Sequence, residues 1–355
     1  MADVKLLNEA LTSIIDRQTA RVTARPGNVL LKYLFEKNRI VTQNHSSIEW
    51  LVQFGAVDVG VKRADAAGTD MNRGTEKRAS IVDTNGDPFG THVAYHQFSI
   101  NMINVQDYRT RAINDLENVF STQISGAVDK MLDKVNTALY TGTGNPASMG
   151  IYGLGYVTDN SHGYANIDST QTAYQEWKAP EQGNTTPDAL TEDDVLDFDA
   201  LLKGKVNAEA IVTNSQTLRK YDALFKSEGG SFVYKTTDAG FPVVDFGIRR
   251  HSLGGRPFLE DPSCPTGRMY AIDPDQLTVF SWDRTPETMR SDVVQPGVPE
   301  LAYATGNVLG MNVSLKELAL PDNMNIRRFQ IQIIPQFRVF NRANAVALLK
   351  GISMA

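Results

Sequence analysis

Cysteine is nearly absent: Cys264 is the only one in 355 residues. That excludes an intrachain disulfide and any multi-cysteine zinc site, and it fits a reducing compartment. Excess positive charge is missing too. The formal net charge is −6 at pH 7, which argues against coating nucleic acid, since that role needs a cationic surface to displace counterions from phosphates. A container wall that must not cling to nucleic acid inside it remains compatible. No apolar run approaches bilayer length, so no membrane partner is expected. The start, Met1-Ala-Asp-Val-Lys5, lacks a basic stretch followed by an apolar block, so a secretory signal is not expected either. No internal repeat of roughly 20–50 residues is visible. Hydrophobic residues at 41% and charged residues at 21% are ordinary for a folded chain, and the length suffices for two or three domains.

Motifs that carry chemistry are equally sparse. There is no phosphate-loop Gly-Lys-Ser/Thr and no Gly-x-Ser-x-Gly elbow. Gly142-Thr-Gly144-Asn-Pro-Ala147 partly resembles a dinucleotide loop, but it follows a helical pattern and holds Pro146, so a glycine helix stop explains it. His92 and His96 could share a metal on a helix. Here Gly90, Tyr95 and Phe98 favour a strand, where residues four apart lie about 13 Å from one another. Asp194, Asp197 and Asp199 lack the glycine and terminal glutamate of a calcium loop and read as helix-capping acids on a solvated face. Asp83, Asn85 and Asp87 resemble ion ligands, yet Asn85-Gly86 is first of all a turn. Cys264, between Pro262 and Pro265, has no histidine near it in sequence. The expectation is a non-enzyme with no catalytic residue, no cofactor and no metal.

What the chain does have is one long periodic segment. Across residues 107–140, Ile113, Leu116, Phe120, Ile124, Val128, Met131, Val135 and Leu139 recur at steps of three and four. That is the apolar stripe of a single helix roughly 50 Å long, several times the usual length. Before it, Val4, Leu7, Leu11 and Ile14 predict a short amphipathic helix that needs something to pack on. Arg25-Pro26-Gly27-Asn28 interrupts it, and a second short helix is expected over 29–37. From Ile48 the period becomes two: Ile48, Trp50, Val52, Phe54 and Ala56 alternate with Glu49, Leu51, Gln53, Gly55 and Val57, and a return strand is expected at 93–103. Between them lies a segment too polar to build a core, with Lys62, Arg63, Asp65, Asp70, Arg73, Glu76, Lys77 and Arg78, closing on Asp83-Thr-Asn-Gly-Asp-Pro88. It reads either as a surface loop or as an ordered extension supported by a neighbouring subunit.

After the helix, 141–190 reads as loop with short strands. Thr191-Glu-Asp-Asp194 then opens a capped helix with Val195, Phe198, Leu201 and Leu202 on its buried face. Residues 210–213 predict a buried strand, and Leu218, Tyr221, Leu224 and Phe225 the face of another helix. Further strands are expected at 243–246, 256–259, 268–272, 277–282 and 308–315. Helices interleaved with strands predict a compact α/β or α+β block. Phe329, Ile331 and Ile333 alternate with glutamines until Pro335 breaks the ladder, and Phe337 and Val339 continue it.

Several stretches, in this order, resemble the major capsid protein of tailed bacteriophages, the Hong Kong 97 fold. They are Gly153-Leu154, Asn166-Ile167-Asp168-Ser169 followed by Trp177, Ile211-Val212-Thr213-Asn214, Arg256-Pro257-Phe258 leading to Met269-Tyr270-Ala271-Ile272-Asp273, and Arg338-Val339-Phe340-Asn341. The resemblance covers nearly the whole chain. It implies an α+β capsid fold: an N-terminal arm (1–45), an extended β-hairpin loop with base strands (46–103), a peripheral domain with the spine helix and following loop (104–189), an α/β axial domain (190–325), and a return strand of the peripheral domain with a C-terminal tail (326–355). It further implies pentamers and hexamers of the chain forming an icosahedral shell around double-stranded DNA, assembled in the host cytoplasm. A portal and possible cement protein would be partners. With only about 45 residues before the hairpin, a separate scaffolding protein is expected. Some members crosslink an extended-loop lysine to a neighbour's asparagine, and Lys62 and Lys77 lie in the corresponding segment. Lys62, Arg63, Asp70, Arg73, Glu76, Lys77 and Arg78 are the expected inter-subunit contacts. An encapsulin-like nanocompartment and an oligomeric α/β enzyme with a dimerising hairpin are the alternatives.

Overall fold

The computed structural model describes residues 2–54, 75–101, 113–227, 252–283, 301–318 and 326–354. Helix α1 (Ala2–Asp16) buries Leu11, Ile14 and Ile15. The surface it needed belongs to its own chain, a strand near the C-terminal third. There Gly306 carries no side chain because a Cβ would meet Ile15 at 2.5 Å. Helix α2 (Gln18–Ala24) and helix α3 (Val29–Glu36) follow, and α3 buries Leu30, Leu31 and Leu34. Strand β1 (Ile40–Gln43) leads to β2 (Glu49–Phe54), β3 (Thr75–Ser80) and β4 (Ala94–Asn101).

The hairpin differs from the sequence expectation. Strand β2 pairs antiparallel with β3, Trp50 opposite Ala79 and Val52 opposite Lys77. The expected return strand is β4, and it pairs elsewhere, with residues 326–333. The reason lies in composition. Thr75-Glu-Lys-Arg-Ala-Ser80 stands in a two-stranded ribbon with little to bury, so its polarity hid a strand. Position Ala56 of the expected strand lies outside the described residues.

The spine helix is α4 (Ile113–Thr141), 29 residues, or about 43 Å at 1.5 Å per residue. Phe120, Ile124, Val128, Met131, Val135 and Leu139 are all buried. The side chains of Ile113 and Leu116, and all of 107–112, lie outside the described residues. Phe120 meets Phe98 of β4 and Phe329 edge-on, at centroid distances of 6.3 and 5.2 Å. The helix ends as the glycines foretold. A side chain at Gly142 would strike the Ile151 carbonyl at 2.3 Å, and one at Gly153 the Ala138 carbonyl at 2.5 Å. A short helix α5 (Leu154–Val157) and strand β5 (Glu181–Asp188) complete the following loop.

Helix α6 (Glu192–Lys205) opens with a reciprocal capping box between Thr191 and Asp194, as the acidic first turn suggested. Then come β6 (Ala210–Thr213), α7 (Ser215–Ser227), β7 (Ser252–Leu253), β8 (Arg256–Glu260), β9 (Met269–Ile272), β10 (Leu277–Trp282), β11 (Tyr303–Val308), β12 (Met311–Leu318), β13 (Ile326–Ile333), β14 (Pro335–Val339), helix α8 (Arg342–Ala345) and β15 (Val346–Ile352). The single strand expected over 308–315 is instead a hairpin. Leu309 and Gly310 both take positive φ, 50° and 75°, and join β11 to β12. A leucine in that conformation gave no turn signal. The strand expected at 243–246 lies outside the described residues.

The strands sort into sheets of order β1-β10-β14, β11-β12-β13-β4, β5-β15-β9-β6-β8-β7 and β2-β3. Their grouping cuts across sequence order. Strands β10 to β12, expected in the axial block, pair with β1, β14 and β13 around the spine. Strand β15, expected in a tail, sits between β5 and β9. Pro335 marks the point where the chain leaves the four-stranded sheet and enters the three-stranded one. Strand β9 joins two cores: Met269 and Ala271 face α6 and α7, while Tyr270 and Ile272 face the main core.

Replacing Phe120 with aspartate puts an unpaired carboxylate into the Phe98–Phe329 cluster, which costs several kcal/mol. The variant should fail to fold by circular dichroism and collect in the insoluble fraction. Phe120→Ala should fold but lose about 3–5 kcal/mol in urea unfolding. A native-like Phe120→Asp protein would mean the stripe is not sealed.

Candidate functional site: the hairpin base and the spine junction

The β2–β3 ribbon leaves the body between Ile48 and Ile81, whose backbones bond at 3.1 Å. Alternation along β2 turns Trp50 and Phe54 inward and leaves Leu51 63% exposed. Trp50 stacks on Phe340 and donates its indole N–H to the Phe340 carbonyl at 2.8 Å. The Arg338 guanidinium lies 5.1 to 5.7 Å from the Phe280, Phe340 and Trp50 ring centroids and donates to Thr278 Oγ1 at 3.2 Å. Burial pushes its pKa down. On the other side, Phe54 packs edge-on against Tyr174 and Trp177 at 5.0 and 5.9 Å. Ser80 donates its amide to the Ala165 carbonyl and its hydroxyl bonds the Asn166 amide.

Of the seven expected contact residues, Lys62, Arg63, Asp70 and Arg73 lie outside the described residues. The other three stand on β3. Lys77 places its ammonium 4.4 Å from the Tyr174 ring centroid of its own chain. Arg78, highly exposed, reaches Glu49 across the ribbon at 3.2 Å. Glu76 is exposed.

A second surface had no single sequence signal. Asp129, Asp133, Asn136 and Tyr140 run down one face of α4 and hold the N-terminal helices. Arg21 grips Asp129 with both nitrogens at 2.7 and 2.8 Å, and Arg25 adds a contact at 2.9 Å. Asn28 donates to Asp133 at 2.8 Å, and the Leu31 amide donates to Asn136 Oδ1 at 3.2 Å. Asp261, at the end of β8 and fully buried, accepts from Leu30 N at 3.0 Å, Asn136 Nδ2 at 3.0 Å, Tyr140 Oη at 2.9 Å and Ser263 N at 2.9 Å. Its carboxylate therefore caps α3 from another part of the chain. Burial, reinforced by Asp261, pushes the Tyr140 phenol well above its ordinary pKa, so it stays a donor. The spacing of 129, 133, 136 and 140 is helical, but read alone it is a solvated face.

Arg342 is a third buried anchor. It is fully buried and donates to the carbonyls of Val157, Asp159 and His162 and to Ser169 Oγ. Burial lowers its pKa to about 10.

The catalytic candidates disperse. Asn145 caps a 3-10 turn through Ser148 N at 2.9 Å, as part of the helix stop. Asp194 is consumed by its capping box, and Asp199 pairs with Lys203 and Arg256. Cys264 is buried, with its thiol pKa pushed up by desolvation and by Asp261. His96 is exposed on β4, while His92 lies before the strand against Asp83. An open groove of about 450 Å³ runs along the end of α4 past Lys134, Thr137, Thr141 and Asn145. No described helix is long and apolar enough to cross a membrane.

The polar docking of the N-terminal helices makes a graded expectation. Asn136→Ala strands the Leu31 amide and part of Asp261 and should cost about 1–3 kcal/mol. Arg25→Ala removes half-exposed ion pairs to Asp129 and Asp133 while Arg21 still holds Asp129, and should cost about 0–1 kcal/mol. Urea unfolding measures both. A larger loss for Arg25→Ala would mean that surface charge, not the buried network, holds these helices.

No protein-family model and no curated protein matches the chain. Solved structures do. The cyanophage A-1(L) capsid asymmetric unit superposes with a TM-score of 0.68 at 22% identity, covering 92% of each chain. The capsid of the native GTA particle superposes at 0.56 with 16% identity, covering 91% of each. The capsid of the empty GTA particle gives 0.52 at 14%, covering 93% of this chain and 92% of that one. Over some nine-tenths of its length, the chain has the mixed helix-and-sheet fold of these capsid proteins.

Proposed function

We propose that this chain is the major shell protein of a tailed-phage capsid, a structural protein and not an enzyme, and that pentamers and hexamers of it close an icosahedral shell around double-stranded DNA. The observation that carries the reading is a fold shared over 92% of both chains with a cyanophage capsid protein. It is supported by a ribbon whose base is anchored by Trp50 and Phe54 while Leu51 and Arg78 face outward. In this reading, the sheets around α4 form a peripheral domain, and the six-stranded sheet with α6 and α7 forms an axial one. The β2–β3 ribbon reaches a neighbouring subunit. Assembly takes place in host cytoplasm with a separate scaffolding protein and a portal, and a cement protein can join outside. The net charge of −6 limits adhesion of the wall to packaged DNA.

Coexpression with a scaffolding protein, followed by light scattering and negative-stain microscopy, tests the reading. Closed shells of uniform diameter are expected. A stable monomer or dimer with measurable turnover would overturn it, and shells loaded with a protein cargo would point to an encapsulin-type compartment instead.

The ribbon contacts have their own test. Lys77 packs on its own Tyr174 and Arg78 pairs with its own Glu49, so the informative variant is Glu76→Lys, at an exposed position. Exposed pairs contribute roughly 0.2–1 kcal/mol each, but a shell repeats them many times over. Shell yield should fall and become more salt-sensitive while free-subunit melting stays unchanged. A sharp drop in subunit melting would assign this side chain to the monomer's own stability.

A further inference from the structure

We propose that Asp83, Asp87 and His92 form a binding site for one divalent transition-metal ion of the zinc class, in the loop between β3 and β4. One donor atom from each of the three side chains lies within 4.8 Å of the others. His92 Nε2 stands 2.8 Å from Asp83 Oδ2. The Asp83 side chain is 2% exposed and that of His92 17%, whereas Asp87 stands at the surface and leaves the site open to water.

Three features favour a metal over a simple hydrogen-bonded turn. First, among the described residues no lysine or arginine pairs with Asp83 or Asp87, and the ion-pair partner recorded for Asp83 is His92 itself, so the cluster brings together two carboxylates, one of them buried, and one imidazole. Second, the donors are held in place. Asp83 Oδ1 accepts from Asn85 N at 2.8 Å and Asp87 N at 2.6 Å, which orients Oδ2 toward His92. Thr84 N bonds the Gly144 carbonyl, and Phe89 packs on Trp282 at 5.4 Å, so the loop is fixed to the body at both ends. Third, one imidazole nitrogen with two carboxylate oxygens is a donor set suited to Zn²⁺ or Co²⁺, with water completing the coordination. An all-oxygen set would point to Ca²⁺ or Mg²⁺ instead. The histidines that share strand spacing, His92 and His96, are not the ones that converge. The turn brings His92 to Asp83, nine residues back.

The test uses the full chain, stripped with chelator and gel-filtered. Titration with Co²⁺, followed by visible absorption, and with Zn²⁺, followed by calorimetry, should give one ion per chain. Binding should weaken as the pH falls, because the proton and the metal compete for the same imidazole nitrogen. His92→Gln keeps a hydrogen bond to Asp83 but removes the ligand, and Asp87→Asn removes an exposed carboxylate. Each should weaken binding at least about tenfold, while His96→Gln binds as the parent does. Zn²⁺ should raise the melting temperature of the parent but not of the variants. Should His92→Gln fail to fold, Asp87→Asn, with unchanged metal-free melting, decides alone. No saturable binding, or binding unchanged in Asp87→Asn, would overturn the assignment and leave Asp83–His92 as a hydrogen-bonded turn.

Discussion

The rest of this structure depends on the two-sidedness of one helix. α4 presents Phe120, Ile124, Val128, Met131 and Val135 to the main core and Asp129, Asp133 and Asn136 to the N-terminal helices. The apolar side fixes the four-stranded sheet through Phe98 and Phe329. The polar side fixes α2 and α3. A stripe of only one kind would secure one partner and leave the other undocked. The two stripes meet at the C-terminal end, where buried Tyr140 donates to Asp261, so the helix, the N-terminal segment and the strand end at β8 share one satisfied carboxylate. Buried polar networks of this sort discriminate between arrangements more than they stabilise, because any misalignment leaves a donor unpaired.

How much of this was legible follows from where each element's partner lies. The apolar stripe of α4, the capping box at Thr191, the glycine stop at Gly142 and the break at Pro335 are local signals, and each reads directly from spacing or residue type. Strand β3 is not local. Thr75-Glu-Lys-Arg-Ala-Ser80 forms a strand because β2 lies beside it, and nothing in its own composition says so. The turn at Leu309-Gly310 escaped notice because Leu309 takes a positive φ that leucine rarely adopts. Strand β15 reads as a tail until β5 and β9 are seen on either side of it. At the candidate sites, the hairpin's charged residues were visible as charges, whereas Lys77's own-chain aromatic partner and the Asp261 cap are long-range facts with no pattern in the chain, and the His92–Asp83 contact depends on how the turn between them folds.

Two arginines, Arg338 half-buried and Arg342 fully buried, have no paired carboxylate among the described residues. Arg338 is bounded by three aromatic faces and a threonine hydroxyl, and Arg342 by three carbonyls and a serine. Guanidinium suits both environments, because it is weakly hydrated, stacks on rings and offers five donors in a plane. A lysine at either position would lose the stacking or most of the donors, so the arginines are not interchangeable with a generic positive charge.

These two arginines explain how a slender ribbon is held rigidly at its root. They sit four residues apart, on either side of Phe340. Arg338 lies against Trp50 of the ribbon's outgoing strand, and the Phe340 carbonyl takes the same tryptophan's N–H. Arg342 gathers the carbonyls of residues 157–162 and Ser169. The neighbouring stretch supplies Ala165 and Asn166 to Ser80 on the returning strand, and Tyr174 and Trp177 to Phe54. The segment from 338 to 342 thus grips one side of the ribbon directly and the other through the loop it organises. A force applied at the Phe54–Thr75 end of the ribbon would be resisted by stacked rings and buried hydrogen bonds on both strands, not by a single pivot. If the ribbon contacts another subunit, as proposed, a stiff root of this kind favours the contact, since a loose one would lose to conformational entropy what the contact gains.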